Sequence, residues 1–260
     1  MTAPFALCRR CRLVRSVLLT AIAAVCSAPL YAQSGNFSGT VALSSQLIDR
    51  GLAITPVTPV LQGNVAWTSN DGWALGLSAA TETRSPGHNS EALAQLARYW
   101  TLSNDWRMQA GLTYYTYPGN ARARVFDRVE GSMNWLYRDV LTLGLSAITL
   151  THGNDQQPRG AADLDFHWPL PQHLSLSAGL GVAQRLTSVE GSGDGSYGHP
   201  MYGHVYRGAD PRSYYGYGHL GLGWTYGPWR VELDRVFTDP DIRRTGMTAS
   251  PWVGTISWSF

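Results

Sequence analysis

The tripeptide Tyr-Gly-His occurs three times in the chain, at residues 197–199, 202–204 and 217–219. The imidazoles of the first two copies are five residues apart, and imidazole nitrogens are ligands for zinc and copper. No cysteine and no fixed acidic residue accompanies this pair. We therefore favour a Gly- and Tyr-rich surface loop in which histidine is incidental, and the sequence predicts no metal site and no cofactor.

His152 raises a second question, because barrel-shaped lipid hydrolases carry their catalytic histidine at a strand end such as this one. Those enzymes need a serine nucleophile beside the histidine base. No serine follows His152 at two residues, and residues 153–155 supply no oriented third group. An outer-membrane lipid-modifying enzyme is therefore the third of three alternatives, and no catalytic residue is predicted.

Charged residues alternate with apolar ones in several segments. Asp163 and Asp165 share a face with His167, opposite Leu164 and Phe166. Paired carboxylates can do acid–base chemistry, but on the inward face of a membrane barrel they more often line a wet lumen or pair with arginine. The same alternation elsewhere gives a lining of mixed charge. The residues predicted to line a pore are Arg107, Arg128, Glu130, Asp163, Asp165, Arg185, Arg230, Glu232 and Asp234.

The elements that would carry these residues are β-strands, because the hydrophobic pattern has a period of two. In residues 174–183 every second residue is apolar, and the residues between are small or polar. The windows 73–80, 106–114 and 219–226 show the same alternation, and helical spacing fits them less well. The predicted strands are 37–49, 59–68, 73–84, 91–102, 106–117, 123–137, 140–151, 160–168, 174–186, 213–226, 229–238 and 250–260.

The connections between these strands alternate in length. Every second connection is a tight turn rich in Gly, Pro, Asn or Asp, such as 69–72, 138–139 and 226–228. The others are mostly longer and more polar, above all 187–212. Bacterial outer-membrane barrels have short periplasmic turns and longer loops outside the cell. The pattern therefore predicts that loop 187–212 is exposed outside the cell.

The first 32 residues have the pattern of a secretory signal peptide. Four arginines precede an apolar run at 17–25, and Ala32 stands before the expected cleavage point. Removal of this segment leaves sixteen arginines against eighteen acidic residues, so residues 33–260 carry a net charge near −2 and no nucleic-acid partner is expected. All three cysteines lie in the removed segment, which excludes a disulfide framework.

The aromatic composition is typical of a membrane interface. Trp and Tyr together number 23, and Phe only six; Trp and Tyr rings settle where one end is apolar and the other wet. No segment after residue 32 reaches 18 apolar residues. A closed barrel is then the structure that pairs every backbone group in a bilayer. The predicted fold is all-β, a transmembrane antiparallel up-and-down β-barrel of twelve strands in residues 33–260, with ten or fourteen strands as alternatives.

Three charged residues, Arg98, Asp127 and Arg235, fall on the outward set of this barrel. A charge on the lipid-facing surface costs little near a rim, and that accommodates Asp127 and Arg235. Arg98 does not fit in this way. The outward position of Arg98 therefore indicates a β-bulge or an error in the assigned register.

Several stretches match the landmarks of a known family. Ser-Gln-Leu-Ile-Asp-Arg-Gly at 45–51 is followed by Pro59 and by Gln-Gly at 62–63. Tyr-Thr-Tyr-Pro-Gly stands at 115–119, and Phe-His-Trp-Pro-Leu-Pro at 166–171. These stretches resemble the TorF-type porins, Gram-negative outer-membrane proteins that mostly lack an assigned substrate. The resemblance implies a shared barrel and supplies no catalytic residues.

Passive diffusion of small hydrophilic solutes through a porin-like channel is the predicted function. A twelve-strand barrel is wider than an eight-strand barrel that side chains fill, and narrower than an open sixteen-strand porin. A structural or adhesive outer-membrane barrel without a conducting pore is the alternative. Five arginines and seven carboxylates face inward by parity, which predicts a weak preference for cations. They are Arg84, Arg107, Arg128, Arg185 and Arg230, with Glu82, Glu91, Glu130, Asp163, Asp165, Glu232 and Asp234.

The last residue, Phe260, resembles the terminal aromatic that the barrel-assembly machinery recognises. The expected partners are therefore outer-membrane lipid, that machinery during biogenesis, and small hydrophilic solutes. We expect residues 33–260 to fractionate with the outer membrane of a Gram-negative bacterium after secretion through the inner membrane. On gels, unheated protein should migrate differently from heated protein, since a closed barrel resists unfolding by detergent. Recovery of the protein from the soluble periplasm would contradict the barrel.

Overall fold

The computed structural model describes residues 35–85, 91–119, 123–152, 157–186, 214–240 and 249–260. The predicted signal peptide at 1–32 and the predicted loop at 187–212 lie outside these residues. None of the helices in the described part is long and apolar enough to cross a membrane.

Twelve long strands of the described chain form a closed antiparallel barrel, which confirms the predicted fold and strand number. Two further short strands pair with each other inside the first long loop. The strands are β1 (Gly35–Ser44), β2 (Ile48–Asp49), β3 (Leu52–Ala53), β4 (Val60–Ser69), β5 (Trp73–Glu82), β6 (Glu91–Thr101), β7 (Trp106–Thr116), β8 (Arg128–Tyr137), β9 (Leu141–Leu150), β10 (Arg159–Pro169), β11 (Leu174–Gln184), β12 (Tyr214–Tyr226), β13 (Trp229–Thr238) and β14 (Trp252–Ser259).

The two ends of the barrel chain meet at one seam. β1 pairs with β4 on one side and with β14 on the other, while the remaining barrel strands pair with their neighbours in sequence. Phe260 extends the seam, because it exchanges two backbone hydrogen bonds of 2.9 Å with Gly39. Each barrel strand thus has two partners. The hydrocarbon core of a membrane requires two partners for every strand, since an unpaired backbone N–H or C=O group is costly there.

The outward face of the barrel is apolar. Leu77 and Leu180, for example, are 61% and 69% exposed, and a protein surrounded by water rarely exposes contiguous apolar surface on this scale. Outward aromatic rings gather at the end of the barrel that carries the tight turns, here called the tight-turn rim. This is the position of an interfacial aromatic belt. Its members include Trp73, Trp106, Tyr137, Trp168, Trp224, Tyr226, Trp229, Trp258 and Phe260.

Arg98 and Arg235 do face outward, but each lies against aromatic rings. The guanidinium carbon of Arg98 is 5.0 Å from the ring centroid of Trp73 and 5.4 Å from that of Trp100. That of Arg235 is 5.1 Å from the ring of Trp252. Such cation–π contacts are favourable and partly shield the charge. The pairing of β6 is continuous through Arg98, so the predicted bulge or register error is wrong.

The predicted outward position of Asp127 is also wrong. Asp127 is 3% exposed, and its carboxylate accepts a hydrogen bond of 2.9 Å from the backbone N–H of Tyr117. The predicted strand starts only at Arg128, because Ala123–Phe126 forms a short 3-10 helix. Strand parity therefore does not apply to Asp127.

The first predicted strand, 37–49, is wrong at its end. β1 stops at Ser44, and the chain then turns into the barrel and forms the β2–β3 hairpin. The alternation continues past the end of the strand, because a hairpin lying in the lumen also has one apolar and one polar side. Residues 45–55 are called the first-loop hairpin below.

Two tight-turn glycines give a matched test of the turn geometry. Gly72 has φ of +84°, and a Cβ atom there would stand 2.6 Å from the carbonyl oxygen of Tyr99. Gly227 has φ of +57° and open space around it. Alanine at either position incurs the steric cost of left-handed backbone, about 1–2 kcal/mol, but only Gly72→Ala adds a backbone clash.

We therefore expect Gly72→Ala to lower the free energy of unfolding by roughly 1 kcal/mol or more beyond the effect of Gly227→Ala. Urea titration of the detergent-solubilised barrel, followed by tryptophan fluorescence, measures both losses. Equal losses in the two variants would contradict the close approach at Gly72.

Candidate functional site

The first-loop hairpin carries two adjacent charges at its tip. Asp49 and Leu52 pair across a two-residue turn, in which Arg50 and Gly51 have φ of +47° and +76°. Positive φ at both central positions is the geometry of a type I′ turn, which joins strands tightly, and glycine adopts it without strain. The turn therefore presents the carboxylate of Asp49 and the guanidinium of Arg50 as a preformed pair.

Two ion pairs join this tip to β8. Asp49 Oδ2 lies 2.6 Å from Arg128 Nη2. Arg50 Nη1 donates to Glu130 Oε2 at 3.1 Å, and its Nη2 contacts Oε1 of the same carboxylate. Burial alone would lower the pKa of the Arg50 guanidinium, but the hydrogen bond and charge of Glu130 raise that pKa above its usual value. Arg50 therefore stays charged, and we call these four residues the charge quartet.

The wall side of the quartet is almost fully buried and closely supported. Arg128 is 1% exposed and Glu130 is 5% exposed. Arg128 donates to the hydroxyl of Tyr117 at 3.3 Å, and that hydroxyl donates to Glu91 at 3.0 Å. The guanidinium also lies 3.8 Å from the ring centroid of Tyr115. A planar guanidinium suits this combination of stacking and hydrogen bonding, so Arg128 is held in one orientation.

Apolar side chains on the lumen face also hold the hairpin. Such residues would be unfavourable in a water-filled lumen, and the hairpin covers them. Each square ångström of apolar surface removed from water contributes roughly 25 cal/mol. The hairpin residues concerned are Leu47, Leu52 and Ile54. The residues of the two clusters on the wall are Ile148, Ala161, Ala183, Tyr215, Val60 and Ala80.

Hydrogen bonds fix the hairpin at its base and at its tip. At the base, Gln46 donates to the carbonyl of Thr55 at 2.8 Å and accepts from the backbone N–H of Ser250 at 2.7 Å. At the tip, the carbonyl of Gly51 accepts from the hydroxyl of Thr238 at 2.8 Å. That hydroxyl belongs to β13, whereas the ion pairs are with β8, five steps away in the ring β13, β12, β11, β10, β9, β8. The tip therefore spans the lumen.

The wall from β10 to β13 carries three aspartates that form no ion pair with arginine among the described residues, Asp163, Asp165 and Asp234, and we call it the acidic wall. Asp165 and Asp234 make no ion pair with any described residue, and Asp163 accepts a hydrogen bond from the hydroxyl of Tyr217. His219 lies near Asp165 and Asp234. Glycines at paired positions leave room for these side chains. The glycines are Gly144, Gly179, Gly181 and Gly221.

The other four predicted pore-lining residues do not belong to the charge quartet. Arg230 and Glu232 form an ion pair of 2.6 Å on β13. Arg107, near the tight-turn rim, pairs with Asp139. Arg185 lies one residue beyond the end of β11, outside the barrel strands. The predicted arginines on β7, β8 and β13 thus each have a carboxylate partner. For all nine residues that the sequence assigns to the lining, a role in a pore stays a prediction.

Strand parity missed Asp49 and Arg50, which are central to this site. The predicted strand 37–49 contained Asp49 and stopped before Arg50, whereas both residues belong to a loop that enters the lumen, where strand parity does not apply. The available signal was Asp-Arg-Gly, a turn-forming sequence with glycine at a position that needs positive φ. The same residues lie in the 45–51 motif that resembles the TorF-type porins.

The histidines form no recognisable reactive centre among the described residues. The third Tyr-Gly-His copy, at 217–219, lies within β12, and the first two copies lie outside the described chain. His152 Nδ1 is 3.1 Å from the hydroxyl of Thr151 and 3.6 Å from Asp127. Both groups approach the same ring nitrogen, so the ring cannot relay a proton between them. In the described part of the chain, no three His, Cys, Asp or Glu side chains are grouped to hold a metal ion.

Comparison with solved structures finds the same fold at low sequence identity. A structure described as KdgM porin matches with a TM-score of 0.52 and 7% identity, over 86% of this chain and 98% of that one. A structure described as NanC porin matches with a TM-score of 0.51 and 11% identity, over 86% and 99%. No protein-family model matches the sequence, and no curated protein matches it either. The likeness therefore shows a shared barrel fold.

Removal of one residue of the charge quartet tests whether its ion pairs are buried. Arg128→Leu would leave Asp49 without its partner while Glu130 keeps Arg50, and breaking a buried ion pair by removing one member costs about 3–5 kcal/mol. Arg107→Leu is the matched control, because that side chain is 49% exposed and its ion pair with Asp139 is worth about 1 kcal/mol or less. Urea unfolding should show the large loss in Arg128→Leu alone. Similar losses in both variants would contradict a docked hairpin.

Proposed function

We propose that this barrel is a narrow outer-membrane channel for passive diffusion of small hydrophilic solutes. The observation that carries the proposal is the contrast between the two faces of the closed sheet. The outward face is apolar with an aromatic belt, as a bilayer requires, while the inward face carries ionised and polar side chains that need water or a partner. A polar lumen of this kind favours transport of hydrophilic solutes.

The similar structures support the same function. Both are described as porins, and the match extends over nearly the whole of each of those chains. The motifs at 45–51, 115–119 and 166–171 add the resemblance to TorF-type porins, and we propose membership of a porin-like family on that basis. Neither comparison indicates a particular solute.

The first-loop hairpin determines where solutes would pass. Its tip fills the space between β8 and β13, and the quartet neutralises the charges of Arg128 and Glu130. Among the described residues, the aspartates of the acidic wall, Asp163, Asp165 and Asp234, form no ion pair with arginine. We therefore propose that the solute path follows β10 to β13 and prefers cations.

The same hairpin favours the alternative function, a barrel without a conducting pore. A loop that spans the lumen in the resting state narrows any path to the space beside it. Single-channel conductance of the purified protein in a planar bilayer separates the two functions. Stepwise conductance supports the channel, and membranes that stay silent over a wide range of protein concentration would contradict it.

Ion selectivity tests the proposed path. A unit charge roughly 8 Å away in water changes the energy of an ion by about 0.5 kcal/mol, with opposite sign for a cation and an anion. Asp163→Asn with Asp165→Asn removes two such charges, so it should lower the cation-to-anion permeability ratio at least about twofold even when salt screens the charges. The preference should also weaken as salt is raised, because ions screen charges over about 10 Å at 0.1 M. Reversal potentials in a salt gradient measure the ratio.

Asp71→Asn, in a tight turn, is the control for this change and should leave the ratio nearly unaltered. If the double variant keeps the reversal potential of the unaltered protein, those carboxylates do not border the conducting path.

A further inference from the structure

The contacts that hold the first-loop hairpin differ between its tip and its base. Those at the tip are side-chain ion pairs, hydrogen bonds to the hydroxyls of Ser146 and Thr238, and the packing of Leu52. Those at the base include hydrogen bonds to the backbone of Thr55 and Ser250 and the packing of Leu47. The base is therefore continuous with the barrel wall, whereas the tip is attached to it by the packing of Leu52 and by polar groups that water could also satisfy.

The charges at the tip are balanced in an unusual way. Asp49 and Arg50 together carry no net charge, and so do Arg128 and Glu130. Arg128 Nε also lies 3.8 Å from Glu130 Oε2, so the wall residues already form a pair with each other. Breaking a buried ion pair is strongly unfavourable when one charge is left alone. Here the departure of the tip leaves an opposite-charge pair on each side, which lowers that penalty.

The turn lets the tip move as a unit. Its two central residues adopt the paired positive φ values of a type I′ turn, so the relative placement of Asp49 and Arg50 is set within the hairpin and does not depend on the wall. The tip can leave and return without refolding. A discrete docked state and a discrete undocked state are the arrangement that a two-state switch requires.

We propose that the first-loop hairpin is a gate, which closes the lumen when its Asp49–Arg50 tip docks on Arg128 and Glu130 and opens when the tip leaves as a neutral pair. This inference rests on the proposed channel function. The lumen is closed while the hairpin is docked. It conducts when the tip has left the wall and the base is still attached.

A reversible crosslink between the tip and β13 tests the gate. A Cβ atom at Gly51 would lie 2.7 Å from Thr238 Oγ1 and 3.4 Å from its Cγ2, so cysteines at the two positions are close enough to form a disulfide. That Cβ atom would also lie 2.8 Å from Tyr217 Cβ on a backbone with φ of +76°, so the single variant Gly51→Cys measures the strain that the substitution itself introduces. The protein carrying Gly51→Cys and Thr238→Cys is purified from membranes and studied in planar bilayers, first oxidised and then after reduction with dithiothreitol. Oxidation should lower the mean conductance about tenfold or more relative to the reduced form, which corresponds to about 1.4 kcal/mol in favour of the closed state.

Two sets of controls accompany this variant. The single variants Gly51→Cys and Thr238→Cys should give the same conductance before and after reduction, which excludes direct effects of the reagents. Arg50→Gln with Glu130→Gln removes one ion pair from the docked state and leaves two neutral amides, of which the one at position 50 is shorter than the arginine that it replaces. It should raise the mean conductance about twofold or more, since the tip then docks less tightly.

The outcomes separate the gate from the channel. If the unaltered protein conducts and the oxidised double-cysteine protein conducts equally, the gate is wrong and the channel stands. If neither the unaltered protein nor Arg50→Gln with Glu130→Gln conducts, the channel function itself fails and the gate fails with it.

Discussion

Two ion pairs, Asp49 with Arg128 and Arg50 with Glu130, determine how the lumen of this barrel is organised. Charges in a narrow space between low-dielectric walls are costly unless they are paired. β8 brings an arginine and a glutamate to the same face, and the first-loop hairpin supplies the complementary charges. The position of the hairpin, the burial of Arg128 and the difference between the two walls all depend on this match.

The barrel supplies the rigid frame on which the match is built. Its ring of backbone hydrogen bonds is complete from β1 to β14, so the inward side chains of every strand have fixed positions. Ionised residues paired with the hairpin occupy β8, whereas glycines and aspartates are frequent on β9 to β13, where Tyr215 and Tyr217 also face inward. The ion pairs with β8 hold the tip on one side and the packing of Leu52 on β9 to β12 holds it on the other, so water and solutes could pass only beside the tip.

The barrel could be predicted from the sequence, but the docked loop could not. Alternation and turn spacing are local, so they gave the twelve strands, and the inward charges of β8 and β10 followed from parity. The docking of the hairpin depends on contacts between residues that are far apart in the sequence. Asp49 meets Arg128, 79 positions later, and Arg50 meets Glu130, 80 positions later. The surroundings of Arg98 were not predicted for the same reason. One of its two aromatic neighbours, Trp73, lies in another strand, and the other, Trp100, lies in the strand of Arg98 itself.

The coupling energy between Arg50 and Glu130 tests the docked hairpin most directly. Urea unfolding of Arg50→Ala, Glu130→Ala and the double variant in detergent gives this energy as the departure from additivity. A docked tip predicts a favourable coupling of about 1 kcal/mol or more, since the two side chains share two contacts in a buried site. Losses that simply add would mean that the two residues do not touch, and the first-loop hairpin would then not lie where this account places it.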